Sequence, residues 1–190
     1  YDNYLDDYVY TDSINTVTSL NVFNKNISDL TGIEDFVALT YLDCGDNQLT
    51  TLDLSQNTAL TEIDCRDNQI TTLGVNQNNA LTHLNSSDNQ LTTLDVSQNT
   101  ILLELICNDN QLTTLDVSQN TFLMELGCVE NQLTSLDVSQ NTALDFLWCS
   151  YNQLTTLDVS QNTALTYLRC DNNQFTALDV RNGNNTNITL

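Results

Sequence analysis

Leu39–Ala59 reads LTYLDCGDNQLTTLDLSQNTA, and the same pattern returns six more times without an insertion, starting at Leu60, Leu81, Leu102, Leu123, Leu144 and Leu165. The unit can be written L-x-x-L-x-C-x-x-N-Q-L-T-T-L-D-V-S-Q-N-T-A. Asn47, Asn68, Asn89, Asn110, Asn131, Asn152 and Asn173 are spaced by 21, and each is followed by Gln and then Leu, Ile or Phe. A fixed period of this size marks a chain that stacks one supersecondary unit on the next. Inside the unit, Leu42 and Cys44 alternate with Tyr41, Asp43 and Gly45. That period of two is a short strand with one buried face. Ile63/Cys65, Leu84/Ser86, Leu105/Cys107, Leu126/Cys128, Leu147/Cys149 and Leu168/Cys170 repeat it. Stacked in register, these strands make a parallel sheet with rungs about 4.8 Å apart. No single turn buries its own leucines; its neighbours do so.

The seven asparagines end the strands where the chain turns, and their side chains are suited to bonding backbone groups of the turn and of the adjoining rung. They are expected to form a ladder. The second half of the unit carries its own apolar pair, as in Leu52/Leu54 and Leu94/Val96. Thr-Thr-Leu-Asp-Val is β-branched and polar, a poor helix sequence. Extended chain or short strands are therefore expected on the return path, and Ser-Gln-Asn-Thr makes the second corner.

The copies beginning with LTYLDCGDNQLTTLDLSQNTA resemble the short bacterial class of leucine-rich repeats, and SLNVFNKNISDLTGIEDFVAL (Ser19 to Leu39) resembles the first turn of the same proteins and the turns of internalins. The resemblance implies a leucine-rich-repeat solenoid. This is the α/β horseshoe class, here nearly all extended, with a parallel β-sheet on the concave face and short extended segments on the convex face. It also implies a secreted or bacterial-surface location, often within a larger multidomain protein, and a role in adhesion or ligand binding. Relatives begin with a short helix, and this chain is expected to have lost it.

The chain reads as one domain, 1–190. Residues 1–16 are the remnant of an N-terminal cap, 17–38 an atypical entry turn, 39–180 the seven repeats, and 181–190 the start of a further turn or a truncated end. Val17, Leu20, Val22, Ile27, Leu30, Ile33 and Phe36 are expected to be the buried set of the entry turn. Lys25 stands where the asparagine ladder would begin, so the ladder is expected to start at Asn47. Tyr1, Tyr4, Tyr8 and Tyr10 are expected to lie over the entry turn. Tyr1 is no natural initiator, which points to a processed product or an excised segment.

Charge is lopsided: 25 Asp plus Glu against 4 Lys plus Arg, a formal net charge of -21. Such a surface repels nucleic acid and anionic membrane and favours cations. Lys25, Arg66, Arg169 and Arg181 do not cluster, so no nucleic-acid site is expected. No apolar run approaches the roughly 18 residues of a membrane helix, and no direct membrane insertion is expected. Asp53, Asp95, Asp116, Asp137, Asp158 and Asp179 form a second column on the return path, with Gly74 as its gap. Each is expected to accept backbone N–H or threonine hydroxyl bonds at the corner. One carboxylate per turn is a thin shell for an ion that prefers six to eight oxygens, so weak Ca²⁺ binding is the only cofactor left open.

Cys44, Cys65, Cys107, Cys128, Cys149 and Cys170 share one inward position, with Ser86 in the missing place. Parallel Cβ vectors on neighbouring rungs give poor disulfide geometry, and a straight column does not converge as zinc ligands must. Free buried thiols are expected.

The return path barely changes between repeats, but the outward strand positions do. The first column reads Tyr41, Glu62, His83, Glu104, Glu125, Phe146, Tyr167; the next Asp43, Asp64, Asn85, Ile106, Gly127, Trp148, Arg169; the third Gly45, Arg66, Ser87, Asn108, Val129, Ser150, Asp171. Concave faces of solenoids are common binding surfaces. The first three repeats are polar and mostly acidic there. The later repeats carry Ile106, Val129, Phe146, Trp148, Tyr151 and Tyr167, with Glu104, Glu125 and Arg169 nearby. That set is the expected ligand site, centred on Trp148, with Gly127 leaving a recess beside its ring. Aromatic rings with hydrogen-bonding neighbours suit a sugar ring or a protein side chain.

No enzyme signature competes with this. His83, the only histidine, lacks a placed nucleophile and pocket,. Glu104 and Glu125 stand one rung apart in equal surroundings, which gives no division into acid and base. Two readings remain: a non-catalytic recognition module binding an extracellular glycan or protein through its concave face, and a structural spacer between other domains of the same polypeptide.

Overall fold

The computed structural model describes residues 14–183. The tyrosine-rich segment 1–13 and residues 184–190 lie outside them, and with them the expected N-terminal cap. The strands are Ser19–Asn21 (β1), Tyr41–Asp43 (β2), Leu52–Asp53 (β3), Glu62–Asp64 (β4), Leu73–Gly74 (β5), His83–Asn85 (β6), Glu104–Ile106 (β7), Glu125–Gly127 (β8), Phe146–Trp148 (β9), Thr156–Asp158 (β10), Tyr167–Arg169 (β11) and Ala177–Asp179 (β12). Eight of them form one sheet in the order β1-β2-β4-β6-β7-β8-β9-β11. Every pairing in it is parallel and without slip, so that Leu105 faces Leu126 and Leu126 faces Leu147. The chain is thus a leucine-rich-repeat solenoid. Its return path is mostly extended coil, with two short pairs, β3 with β5 and β10 with β12. Among the described residues the one named helix is the 3₁₀ turn Ile33–Asp35, and none is long and apolar enough to cross a membrane.

The core runs the length of the stack. Leu102, Leu105, Cys107, Leu112 and Val117 of the fourth repeat are fully buried, and so are their equivalents in the fifth and sixth. The entry turn differs from its sequence reading. Ile33 is buried, but Val17, Leu20, Val22, Ile27, Leu30 and Phe36 are only partly so, packed against the core from one side. A turn is buried by its neighbours, and among the described residues this one has a full turn on one side only.

The strand-end asparagines hold both the turn they belong to and the one before. Asn110 donates from Nδ2 to the carbonyls of Cys107 and Asn108 in its own turn and of Ser86 in the preceding one, at 3.3, 2.9 and 3.0 Å. Its Oδ1 accepts the backbone N–H of Leu91, 2.9 Å away. Asn47 opens the series by accepting from Lys25 N and Ile27 N of the entry turn. These are backbone groups that the corner leaves without secondary-structure partners, and burying them unpaired costs about 1–3 kcal/mol each.

The opposite corner carries a second asparagine column that the sequence reading passed over as turn composition. Asn57, Asn78, Asn99, Asn120, Asn141 and Asn162 are fully buried. Asn120 Nδ2 donates to Asn99 O and Val96 O of the preceding turn at 2.9 and 3.0 Å. Its backbone closes two successive tight turns, from Asn120 N to Val117 O and from Leu123 N to Asn120 O. The Oδ1 atoms of all six have no protein donor. Their amide hydrogens are what the corner uses.

The thiols are unpaired; five are buried and Cys170 is half-exposed. Cys107 Sγ donates to Gly127 O on the next rung at 3.3 Å, and Cys65 Sγ does the same to Asn85 O at 3.5 Å. Ser86 breaks the column, its hydroxyl buried with no partner.

Two stability predictions follow from these contacts. Ser86→Cys replaces an unpaired buried hydroxyl by the group its neighbours carry, and should raise unfolding free energy by about 1–2 kcal/mol in a denaturant titration. Asn110→Ala should cost about 1–3 kcal/mol. Asn110→Asp should cost more, because a carboxylate there faces three carbonyl oxygens. If the aspartate proves the milder of the two, the donor role assigned to Nδ2 is wrong.

Candidate concave-face site

Strand alternation and exact stacking build the site. Leu126, Leu147 and Leu168 point into the core. The residues on either side of each therefore point out. Register places Glu125 beside Phe146 and Phe146 beside Tyr167, and in the parallel column Gly127 beside Trp148 and Trp148 beside Arg169. The three aromatic rings touch. Phe146 and Trp148 stack with centroids 5.7 Å apart and planes inclined by 23°. Tyr167 lies 6.2 Å from Phe146 and 6.1 Å from Trp148, tilted to both. All three are half-buried, so each keeps a face or edge in solvent.

The other expected site residues do not all join them. Arg169 is exposed and turned along its own strand, with Nε 3.2 Å from Asp171 Oδ1. Glu104 and Glu125 stand side by side on adjacent rungs, both half-buried. Partial burial and then the charge of Glu125 raise the Glu104 carboxyl above its ordinary range. The recess expected at Gly127 is not there. A Cβ on Gly127 would meet Asn108 Oδ1 at 3.0 Å and Ile106 Cδ1 at 3.2 Å. Side chains from the preceding rung already fill the space, as concave packing of neighbouring columns requires. Val129 is half-buried, its N–H held by Asn108 Oδ1 at 2.8 Å. Tyr151 is exposed and sits past the strand in a left-handed conformation, φ 55°, apart from the ring cluster. Five outward positions, Asp43, Gly45, Ser87, Gly127 and Ser150, are in fact buried. Asp43 is tied down by Asn21 Nδ2 and the Gly45 N–H. His83 bonds Thr82 Oγ1 through Nδ1 rather than Ser87.

One column was not singled out from sequence. Asp46, Asp67, Asp88, Asp109, Glu130, Tyr151 and Asn172 all have φ between 50° and 55°. The left-handed region favours Asp and Asn among residues with a side chain, and five of these seven, all but Glu130 and Tyr151, carried that signal. Stacking puts carboxylates one rung apart. Asp109 is pushed up to about 6, by burial first and then by Asp88 and Glu130. Asp88 is raised for the same kind of reason, burial and then Asp67.

The return-path aspartates behave oppositely. Asp53, Asp95, Asp116, Asp137 and Asp158 each accept the N–H two residues on, at 2.8–2.9 Å. That bond holds the carboxyls of Asp53, Asp95, Asp116 and Asp137 below the ordinary range. Among the described residues no three His, Cys, Asp or Glu side chains converge as a metal ion would need. Burial pushes the Cys44 and Cys107 thiols up to about 12, so they remain protonated and poor nucleophiles,.

Solved structures place this geometry among known proteins. A structure of the functional domain of InlJ from Listeria monocytogenes, which includes a cysteine ladder, superposes with a TM-score of 0.89 at 49% identity, covering 90% of this chain and 39% of that one. The leucine-rich-repeat protein LIC12759 of Leptospira interrogans superposes with a TM-score of 0.73 at 27% identity, covering 83% of this chain and 44% of that one. By sequence, internalin J of Listeria monocytogenes is 50% identical over 52 residues, 27% of this chain and 6% of that protein. The chain thus spans well under half of each relative. No protein-family model matches it. Where the InlJ domain includes a cysteine ladder, this chain carries six cysteines at one inward position.

The raised carboxyl of Asp109 gives a pH prediction. Its proton is held more tightly in the folded chain than in the unfolded one, where aspartate titrates near ~3.9. The associated stability is complete below that value and is lost as pH rises through about 6,. The lowered return-path aspartates act only at more acidic pH. Melting temperature should therefore fall between about pH 4 and pH 7, and Asp109→Asn should flatten that slope while preserving the left-handed turn. Partial exposure keeps the effect to a few tenths of a kcal/mol, roughly that of a relieved surface repulsion. Parallel slopes for the two proteins would refute the assignment.

Proposed function

We propose that this internalin-like leucine-rich-repeat chain is a non-catalytic recognition module, presented outside the cell, that holds a glycan or a protein against its concave face. The observation that supports it most is the contact cluster of Phe146, Trp148 and Tyr167 on two adjacent rungs. Among the described residues no helix or loop buries these rings, although aromatic surface is the kind that chains usually bury,. Rigid rings give large contact area at little entropic cost, which is why they anchor interfaces and stack on sugars. Glu125, one rung away, and exposed Arg169 supply hydrogen-bonding groups at the margin. Glu104, Ile106 and Val129 extend the surface toward the middle of the stack. Tyr151 adds a fourth exposed ring beyond the strand, kept in a left-handed conformation that costs a bulky residue about 1 kcal/mol or more.

The contrast between columns points the same way. Inward positions and both corners hardly vary from repeat to repeat, while outward strand positions change at each step. The acidic first half, with Glu62 and Asp64, would steer cationic partners and resist anionic ones. Glu104 and Glu125 stand on adjacent rungs of an open sheet face and His83 is bonded to Thr82, and no reaction is assigned to them.

The near-constant return path favours a second reading, a stiff spacer between domains. Trp148→Ala separates the two. Beads displaying the chain should lose adhesion by about tenfold or more with the variant, as for an interface anchor. Emission from Trp148, the single tryptophan, should shift when a ligand is added. Undiminished adhesion by Trp148→Ala would favour the spacer.

A further inference from the structure

A second exposed surface lies on the rim where the chain enters the strands of the fourth and fifth repeats. At the last position of the repeat, four of the described turns carry Ala59, Ala80, Ala143 and Ala164, but the middle two carry Ile101 and Phe122. At the second position most carry Thr40, Thr61, Thr82 or Thr166, but the two repeats entered through Ile101 and Phe122 have Leu103 and Met124. Ile101, Phe122 and Met124 are 43%, 59% and 47% exposed. The two turns are stacked: Met124 N bonds Leu103 O at 2.8 Å, and Asn120 Nδ2 bonds Asn99 O at 2.9 Å at the adjoining corner. Four large apolar side chains thus stand together on adjacent rungs, bounded along the solenoid by Ala80 and Thr82 on one side and Ala143 and Asp145 on the other.

Charge borders this patch on its concave side. Glu104 follows Leu103, Glu125 follows Met124, and the two carboxylates lie in register. The ion pairs of the described residues involve Arg66, Arg169 and Arg181, none of which reaches them. Glu104 is partly desolvated and further raised by Glu125, with His83 on the preceding rung offsetting only part of this,. A partner that supplies cations here relieves a repulsion already built into the sheet.

From these observations we infer that the rim is a docking surface for a basic amphipathic protein segment, one whose apolar face covers Ile101, Leu103, Phe122 and Met124 while its Lys or Arg groups meet Glu104 and Glu125. Three of the four side chains are aliphatic or thioether, and the single ring of Phe122 is no array for stacking a sugar. Methionine adapts its shape to varied apolar partners. A net charge of -21 repels anionic lipid, which leaves a cationic polypeptide as the matching occupant,. The surface is separate from the ring cluster of the proposed ligand site and shares only Glu104 and Glu125 with the margin of that site.

The chain carries one reporter for each surface: Met124 is its only methionine and Trp148 its only tryptophan. The protein would be labelled with ¹³C-methyl methionine and titrated with a short amphipathic helix of leucine and lysine, and with its leucine–glutamate counterpart. The lysine peptide should shift the Met124 methyl resonance with a salt-sensitive affinity, and the glutamate peptide should not. The repeat-consensus variant Ile101→Ala/Leu103→Thr/Phe122→Ala keeps the reporter and should weaken binding by about tenfold. Glu104→Gln/Glu125→Gln should weaken it by about threefold and flatten its salt dependence. An unmoved Met124 methyl in the presence of bound peptide, equal binding of both peptides, or wild-type affinity in the consensus variant would each overturn the inference. A response from Trp148 emission alone would overturn it too, and would leave the proposed concave site standing.

Discussion

A corner in a solenoid turns buried backbone away from every regular hydrogen-bonding partner, and in this chain asparagine amides answer that need on both sides of the stack. At the strand end, Asn110 and its equivalents offer Nδ2 to three carbonyls and Oδ1 to an N–H of the preceding turn. At the far corner, Asn120 and its equivalents give Nδ2 to two carbonyls of the turn before. Glutamine is too long for either place, and aspartate cannot donate. The requirement recurs once per turn, so it fixes the length of the turn and with it the register of the whole sheet.

Register in turn frees the outward positions. With Leu105, Leu126 and Leu147 locked in one inward line, the residues beside them can change without disturbing the core. The chain uses this freedom unevenly. Its first repeats present carboxylates, its middle ones an apolar rim beside Glu104 and Glu125, and its last ones a cluster of three rings. A single scaffold thus displays three chemically different surfaces in succession along one axis.

Much of this was legible in the sequence because a period of two inside a period of 21 leaves little choice of fold. The inward leucines, the sheet order and the outward columns all follow from it. The features that escaped have a common cause: they depend on contacts between rungs rather than on pattern along the chain. Asn120 looked like an ordinary turn residue, since polarity suggests exposure, yet the turns above and below bury it completely. Gly127 looked like a gap beside Trp148 until Ile106 and Asn108 of the neighbouring rung were seen to fill it. Phe122 and Met124 fall outside the strand alternation, at positions where other repeats carry Ala and Thr, so a strand-based reading gave them no role. Tyr151 had the right chemistry for the ring cluster, but its place after the strand sets it in a left-handed turn away from it.

The parallel stacking of short rungs has a mechanical consequence. Neighbouring turns are joined by a few backbone bonds per strand and by the asparagine amides, all directed along the solenoid axis. Tension on that axis loads those bonds one interface at a time instead of sharing force across the sheet. Each turn released converts a rung of about 4.8 Å into some ~70 Å of extended chain. Under traction the domain would therefore yield in equal increments, lengthening many-fold before the next interface gives way. A shape so regular acts as a reserve of contour length with a nearly constant yield force, and that compliance belongs to the period itself, whatever the concave face holds.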